Sequence, residues 1–433
     1  MTNIKNESPE IGKEKQELVE LDKYNRKTLK KYVKDGRFTV KFPEKIKGNF
    51  NCYKLGLETL DGCPKIVSGS FDCSSNNLTS LSGCPEIVGK DFDCSFNEIT
   101  SLEGCPQEVG GNFDCSSNKL TSLENCPQEV SRSFDCSWND LITLDDCSKI
   151  VSGDFDCSFN KITSLEGCPQ EVGGSFDCSS NSLTSLSGCP EIVGKDFDCS
   201  GNKLTSLENC PQEVGGNFDC SFNEITSLEG CPKEVGGSFD FLFNKITSLE
   251  SCPNEVNGVF NCSWNKLTSL VGCPEIVRGD FDCVSNELTS LEGCPKIVEG
   301  YFECSQNVLV SLEGSPREVG GYFCCAFNKL TSLSGGPEIV GGFFDCSRNY
   351  LTSLEGAPNE VSDDFLCLEN ELTSLVGCPE VVEGKFSCSY NKLDSLEGCP
   401  REVGGDFYCS GNNREFTKDD LPKNTNIVGK FES

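Results

Sequence analysis

The chain has 433 residues, with 68 acidic against 37 basic side chains, a formal net charge of −31, 32 cysteines and no histidine. So large an acidic excess disfavours nucleic acid as a partner, because that affinity rests on cations neutralising phosphates. The missing histidines remove Ser-His and Cys-His catalysis and histidine metal sites, and no apolar run approaches the roughly 18 residues of a membrane-spanning helix.

The amino-terminal stretch MTNIKNESPEIGKEK lacks the apolar core of a secretory signal. A cytoplasmic protein, of the producing or host cell, is therefore expected. The polar, Ser/Asn-containing start is also compatible with type III export. Residues 14–34 predict an amphipathic helix, with Leu18, Leu21, Leu29, Tyr32 and Val33 giving a broken apolar stripe. Arg37 to Lys47 aligns with the second half of a repeat, Phe42-Pro43 standing where Cys63-Pro64 stands one unit later. Residues 1–49 are thus expected to form a short helical amino-terminal cap with a degenerate half repeat, covering the first core layer. Residues 1–48 hold 13 basic and 8 acidic side chains (net +5), and the remaining 24 and 60 give −36. A solvated helix surface accounts for the difference; a secretion or chaperone-binding segment is the sharper alternative.

From Phe50 onward phenylalanine returns every 21 residues, making 17 full units over 50–406 and a partial one from Phe407. The unit is F-D-C-S-x-N-x-L-T-S-L-x-G-C-P-x-x-V-G-G-x, and its positions are called columns 1 to 21. In a strand alternate residues face opposite sides, so Phe71 and Cys73 point inward while Asp72 and Ser74 face out. Asn76 turns the chain and can pair with backbone groups of adjacent units in a ladder. Leu78, Leu81 and Val88 complete the core, Pro85 forbids a regular helix on the return side, and Gly89 lets the chain fold back. After Asn412 the pattern breaks. Arg414 replaces the core leucine, Thr417-Lys-Asp-Asp-Leu predicts a capped helical turn, and Asn426 to Phe431 predicts a closing strand, so 413–433 is taken as the carboxy-terminal cap.

Phe-x-Cys followed by x-Asn-x-Leu resembles the LxLxxNxL strand and turn of the leucine-rich repeat, and the resemblance covers nearly all of 50–412. The pattern is similar to the short repeats of YopM- and IpaH-type bacterial effectors, and to FDCSxNxLTSLxGCP arrays of phage and giant-virus proteins. The resemblance implies a leucine-rich-repeat solenoid over 50–412, with a parallel β-sheet on its concave face and an extended, turn-rich convex side without helices. One departure is that Val88 precedes Phe92 by four residues where the effector repeats space their apolar positions as L-x-x-L. That spacing predicts a bulged strand entry. IpaH-type relatives carry a ubiquitin-ligase domain after their repeats, and the residues beyond Phe407 offer no room for one, so an enzyme is not expected.

Column 3 holds Cys in 17 of 18 units and column 14 in 14 of 17, with Cys324 as the odd one. Bridging between the columns would make losses come in pairs. They do not: Phe241 replaces the first while Cys252 stays, and Ser315, Gly336 and Ala357 replace the second while Cys304, Cys325 and Cys346 stay. Bridges along a column are poor too, because in-register strands hold Cβ atoms about 4.8 Å apart against about 3.8 Å in a relaxed disulfide. The cysteines are therefore expected to be reduced, buried, small hydrophobes in a reducing compartment. With no C-x-x-C pair, neither a metal nor a cofactor is expected.

Two columns carry the surface information. Column 2 is acidic in Asp72, Asp93, Asp114, Asp135, Asp156, Asp177, Asp198, Asp219 and Asp240, and Asp282, Glu303 and Asp345 continue the row. On a parallel sheet such carboxylates line up about 4.8 Å apart, where like charges disfavour each other. Water, Ser74-type hydroxyls and salt can screen them; the functional alternatives are a basic protein partner, occasional divalent cations, or mimicry of a nucleic-acid backbone. Column 5 carries Phe96, Trp138, Phe159, Phe222, Phe243, Trp264, Phe327 and Tyr390, including both tryptophans of the chain. Exposed aromatics are the usual anchors of interfaces, although ring packing along a ridge would also account for them. The expected function is a non-enzymatic protein–protein interaction scaffold presenting an acidic concave face and aromatic anchors to a basic protein partner. The alternative is a structural or cell-surface recognition protein, with an enzyme a distant third.

Overall fold

Each repeat opens on a two-residue strand made by its Phe and the residue after it. These strands pair in parallel and in register, Phe opposite Phe. The computed structural model describes residues 23–433, and the chain divides into two compact units, one reaching 202 and including 209–211, the other made of 203–208 and 212–433. In the first unit the front sheet runs from Phe50–Asn51 to Phe197–Asp198. In the second it runs from Phe218–Asp219 to Phe407–Tyr408 and is closed by Phe431–Glu432.

Columns 17 and 18 form a second set of parallel two-residue strands, such as Ile66–Val67 against Ile87–Val88. The expected bulge before Phe92 is instead a corner. Ile87–Val88 belongs to the rear sheet, Gly89 and Lys90 bend the chain, and Phe92–Asp93 joins the front sheet. The corners of neighbouring repeats nest closely: a Cβ added at Gly110 would lie 2.4 Å from the Gly89 carbonyl oxygen. The rest of the return side is bends and turns without helix.

Between the sheets lie the inward side chains of columns 1, 3, 8, 11 and 18. Phe71, Cys73, Leu78 and Leu81 have no exposed surface, and Val88 is buried to within 1 %. The phenylalanines stack from repeat to repeat, Phe50 on Phe71 at 5.5 Å and Phe71 on Phe92 at 5.9 Å between ring centres. Phe241 takes a column-3 cysteine slot and packs edge-on against Phe260 at 5.3 Å. Column 6 supplies the polar seam. Asn76 Oδ1 accepts the amide N–H groups of Leu55 and Leu57 in the previous repeat, while its Nδ2 donates to the carbonyls of Cys52, Cys73 and Ser74. The pattern recurs through Asn412, so buried backbone groups at every turn are satisfied by one amide.

At the amino terminus Leu18 and Leu21 lie outside the described residues. The helix expected over 14–34 is, within them, one α-turn at Arg26–Leu29 and a 3₁₀ turn at Lys30–Tyr32. Asn25 caps it by accepting the Thr28 N–H. Val33–Lys34 then pairs antiparallel with Arg37–Phe38 across Asp35-Gly36, both at positive φ, the two-residue turn that Asp-Gly favours. Phe42 packs edge-on against Phe50 at 5.1 Å, and Lys45–Ile46 adds a strand to the rear sheet. At the other end Thr417 and Asp420 form a capping box around a 3₁₀ turn, Lys418–Asp420. Asn426–Ile427 joins the rear sheet and Phe431–Glu432 the front.

Candidate interaction surface

The outward side chains of the front strands come from columns 21, 2 and 4, and the chain then turns at column 5. The in-register pairing sets Asp72 beside Asp93, and the row continues through Asp114, Asp135, Asp156 and Asp177 to Asp198 in the first unit. In the second unit Asp219 stands beside Asp240, followed by Asn261, Asp282, Glu303, Cys324 and Asp345.

These carboxylates are half-buried and engaged. Asp114 Oδ1 accepts both the amide N–H of Ser116 at 2.9 Å and its hydroxyl at 2.7 Å, and Asp135 and Asp156 bind Ser137 and Ser158 in the same way. Column 4 serine therefore faces out yet is buried. It ties the aspartate down and starts the turn, as Asx-type pairing does. At Asp72 the second oxygen is engaged too, accepting from Asn51 Nδ2 of the previous repeat at 2.8 Å. Burial, with the neighbouring carboxylates adding to it, pushes Asp114 and Asp177 up to about 6. Asp72, Asp156, Asp219, Asp282, Glu303 and Asp345 are also raised, burial being the first cause in each. Ion pairs also run along column 7, for example Lys161–Asp140 at 2.6 Å and Lys245–Glu224 at 2.8 Å.

Column 5 has a conformation that its residue types do not advertise. Phe96, Trp138, Phe159, Phe222, Phe243, Trp264, Phe327 and Tyr390 all adopt φ between 51° and 56°. Gly201 and Gly411 occupy the same column at 63° and 69°, where glycine is unstrained. For a bulky side chain this left-handed region costs about 1 kcal/mol or more. The eight rings are also exposed, from 43 % at Phe159 to 63 % at Phe96. Adjacent ones stack: Trp138 on Phe159 at 4.0 Å and 10°, Phe222 on Phe243 at 5.2 Å, and Phe243 on Trp264 at 4.8 Å. The ridge packing weighed against an interface is therefore present, and it leaves the rings open to solvent. Farther along, Arg348 lies over the Phe327 ring at 4.5 Å and binds Glu369 at 2.8 Å.

A second aromatic run escaped sequence inspection. Tyr301, Tyr322 and Phe343 occupy column 21 and stack at 4.5 and 4.3 Å, each pair within 8° of parallel. Elsewhere this column caps its neighbour, as Asp91 Oδ1 accepts the Asn112 N–H and Asp154 Oδ1 that of Ser175. Aromatic rings offer no such acceptor, so stacking replaces the hydrogen-bond ladder over these three repeats. Burial and the nearby Asp282 push the Tyr301 hydroxyl up to about 12. Three successive aromatics in a column that is polar everywhere else but at Val259 were the available signal.

All 32 cysteines are free thiols. Column 3 is buried outright, and burial raises Cys73 and Cys94 well above a free thiol. Column 14 does more than fill space. Cys105 Sγ donates to the Asn125 carbonyl at 2.9 Å, and Ser315 Oγ donates to Gly335 at 2.8 Å from the same position. No His/Cys/Asp/Glu group arranged to hold a metal occurs among the described residues, and none of their helices is long and apolar enough to cross a membrane.

No protein-family model matches the chain, and no curated protein matches its sequence. Among solved structures, YopM from Yersinia enterocolitica superposes with a TM-score of 0.60 at 22% identity, over 96% of this chain and 94% of that one. A leucine-rich effector protein, YopM from Yersinia pestis, matches at 0.44 and 16% identity over 92% and 93%. Parallel two-residue strands every 21 residues, the column-6 asparagine ladder and that likeness make the fold a leucine-rich-repeat solenoid resembling YopM.

Proposed function

We propose that the chain is a non-enzymatic protein-interaction scaffold whose front face receives a basic protein partner. The observation that carries this is the in-register carboxylate row of Asp72 to Asp177, bordered by exposed aromatics held at strained backbone angles. Stability alone does not favour either feature: the row repels itself, and exposed rings in the left-handed region cost free energy that glycine would save. A partner bearing lysine and arginine would answer the row and cover the rings. Free thiols, buried throughout column 3 and part-exposed at column-14 positions such as Cys189 and Cys273, fit a reducing compartment such as the cytoplasm.

The test is affinity capture from host lysate at low and high salt, followed by binding of the purified partner. Affinity should fall steeply with salt, since exposed charge pairs are screened over about 10 Å at 0.1 M. Replacing Asp114, Asp156 and Asp177 with Asn should slow association, while Trp138→Ala should cost about 2 kcal/mol, mostly as faster dissociation. A partner whose affinity ignores both changes sits elsewhere, and the front-face assignment is then wrong.

A further inference from the structure

Column 5 of the first unit runs Phe96, Ser117, Trp138, Phe159 in successive repeats. Trp138 has one face covered by Phe159 at 4.0 Å. Its neighbour on the other side in the column is Ser117, and beyond that stands Phe96, the most exposed of the eight rings at 63 %. Strands about 4.8 Å apart set Phe96 and Trp138 roughly 10 Å apart, two strand spacings, with one short side chain between them. A planar group sandwiched between two rings needs about 7 to 8 Å, twice the carbon–carbon contact distance. The gap left by serine is therefore about one planar group thick. Among the described column-5 positions no other small residue stands directly between two aromatics.

The second unit shows how a guanidinium sits on a ring of this column. Arg348, in the same column, lies over the Phe327 ring at 4.5 Å and reaches the Glu369 carboxylate of the next repeat. Guanidinium is planar, stacks on aromatic faces and stays charged, whereas an ammonium group is a compact point charge that does neither stacking nor forked pairing. The carboxylates of Asp114 and Asp135 stand three residues before Ser117 and Trp138. Lys119, the nearest cation in sequence, is already tied to Glu98.

We infer that the slot over Ser117, between Phe96 and Trp138, takes an arginine side chain of the partner, so that the surface selects arginine-bearing over lysine-bearing segments. This rests on the acidic-face function proposed above and names the chemistry of its partner. The left-handed backbone of column 5 already carries phenylalanine at Phe96 and Phe159, so Ser117→Phe should fold and close the slot by continuing the stack. Ser180→Phe, on the far side of Phe159, would lengthen the stack without closing the slot.

The experiment uses the full chain with Trp264→Phe, which leaves Trp138 as the reporter of the two tryptophans, and titrates arginine-rich and lysine-rich peptides of equal length and charge. The arginine peptide should bind about ten-fold more tightly and perturb Trp138 fluorescence. Ser117→Phe should bring it to the level of the lysine peptide, and Ser180→Phe should leave the preference intact. Equal binding of both peptides by the parent chain, or a preference that survives Ser117→Phe or is lost in Ser180→Phe, overturns the slot while leaving the acidic face standing. If neither peptide binds at low salt, both proposals fall.

Discussion

Asn202 donates from one amide nitrogen to the carbonyls of Cys178, Cys199 and Ser200, and accepts the Leu183 N–H on its oxygen. A single side chain thus closes its own turn and ties it to the repeat before. Asn202→Ala should strand these buried groups and cost about 1 to 3 kcal/mol in urea unfolding. Asn412 is less buried, and donates to Cys388 and Cys409. Its replacement by Ala should cost less, and equal losses at the two sites would contradict a ladder whose worth depends on burial. This residue's role was legible because asparagine recurs at one column. The backbone angle at column 5 was not. Phenylalanine and tryptophan are poor predictors of positive φ, and the two clues, Gly201 and Gly411, stand among 16 other residue choices in that column.

Strands of two residues lie below the length at which alternation can be recognised. The front strand was legible because Phe and Cys are apolar two residues apart, with Asp between them. The rear strand was not, because its first position is Ile87 in one repeat and Glu108 in the next while only the second, Val, is constant. At the end of the expected helix Val33 and Lys34 are drawn into a hairpin by Asp35-Gly36, the dipeptide that two-residue turns favour. The acidic row is legible in sequence; its half-burial is not, because it depends on the packing of neighbouring repeats around each strand. A carboxyl with a higher pKa folded than unfolded binds its proton more tightly in the folded chain. Its contribution is fully present below about 4, the unfolded value, and is lost as pH rises through the folded value of about 6 at Asp114 and Asp177. The row should therefore make the protein more resistant to urea at pH 5 than at pH 7.5. Asn in place of Asp114, Asp156 and Asp177 keeps the acceptor for the serine amide, as Asn261 does toward Ser263. That variant should be at least as stable at pH 7.5 and lose part of the pH slope. A destabilised variant with an unchanged slope would show that the row is held by favourable interactions instead.

At the scale of the whole chain the 21-residue period is what made the fold legible, because a solenoid repeats one local solution and each unit contacts only its neighbours. The partner is not legible in the same way: close copying spreads a feature through many repeats whether or not a ligand uses it. The thiols offer the most direct check on the interior that those repeats build. Only a thiolate attacks a disulfide reagent, and burial holds column 3 well above the usual thiol range, while Cys105 in column 14 is pushed up to about 12. Freshly isolated protein, denatured without reductant, should titrate close to all 32 cysteines as free thiols. Folded, the column-3 thiols should react slowly, only as the repeats open, while part-exposed column-14 thiols such as Cys189 and Cys273 react sooner. Fast labelling of column 3 in the folded chain would mean that this column is not buried. Thiols already oxidised before denaturation would overturn both the reduced core and the proposed reducing compartment.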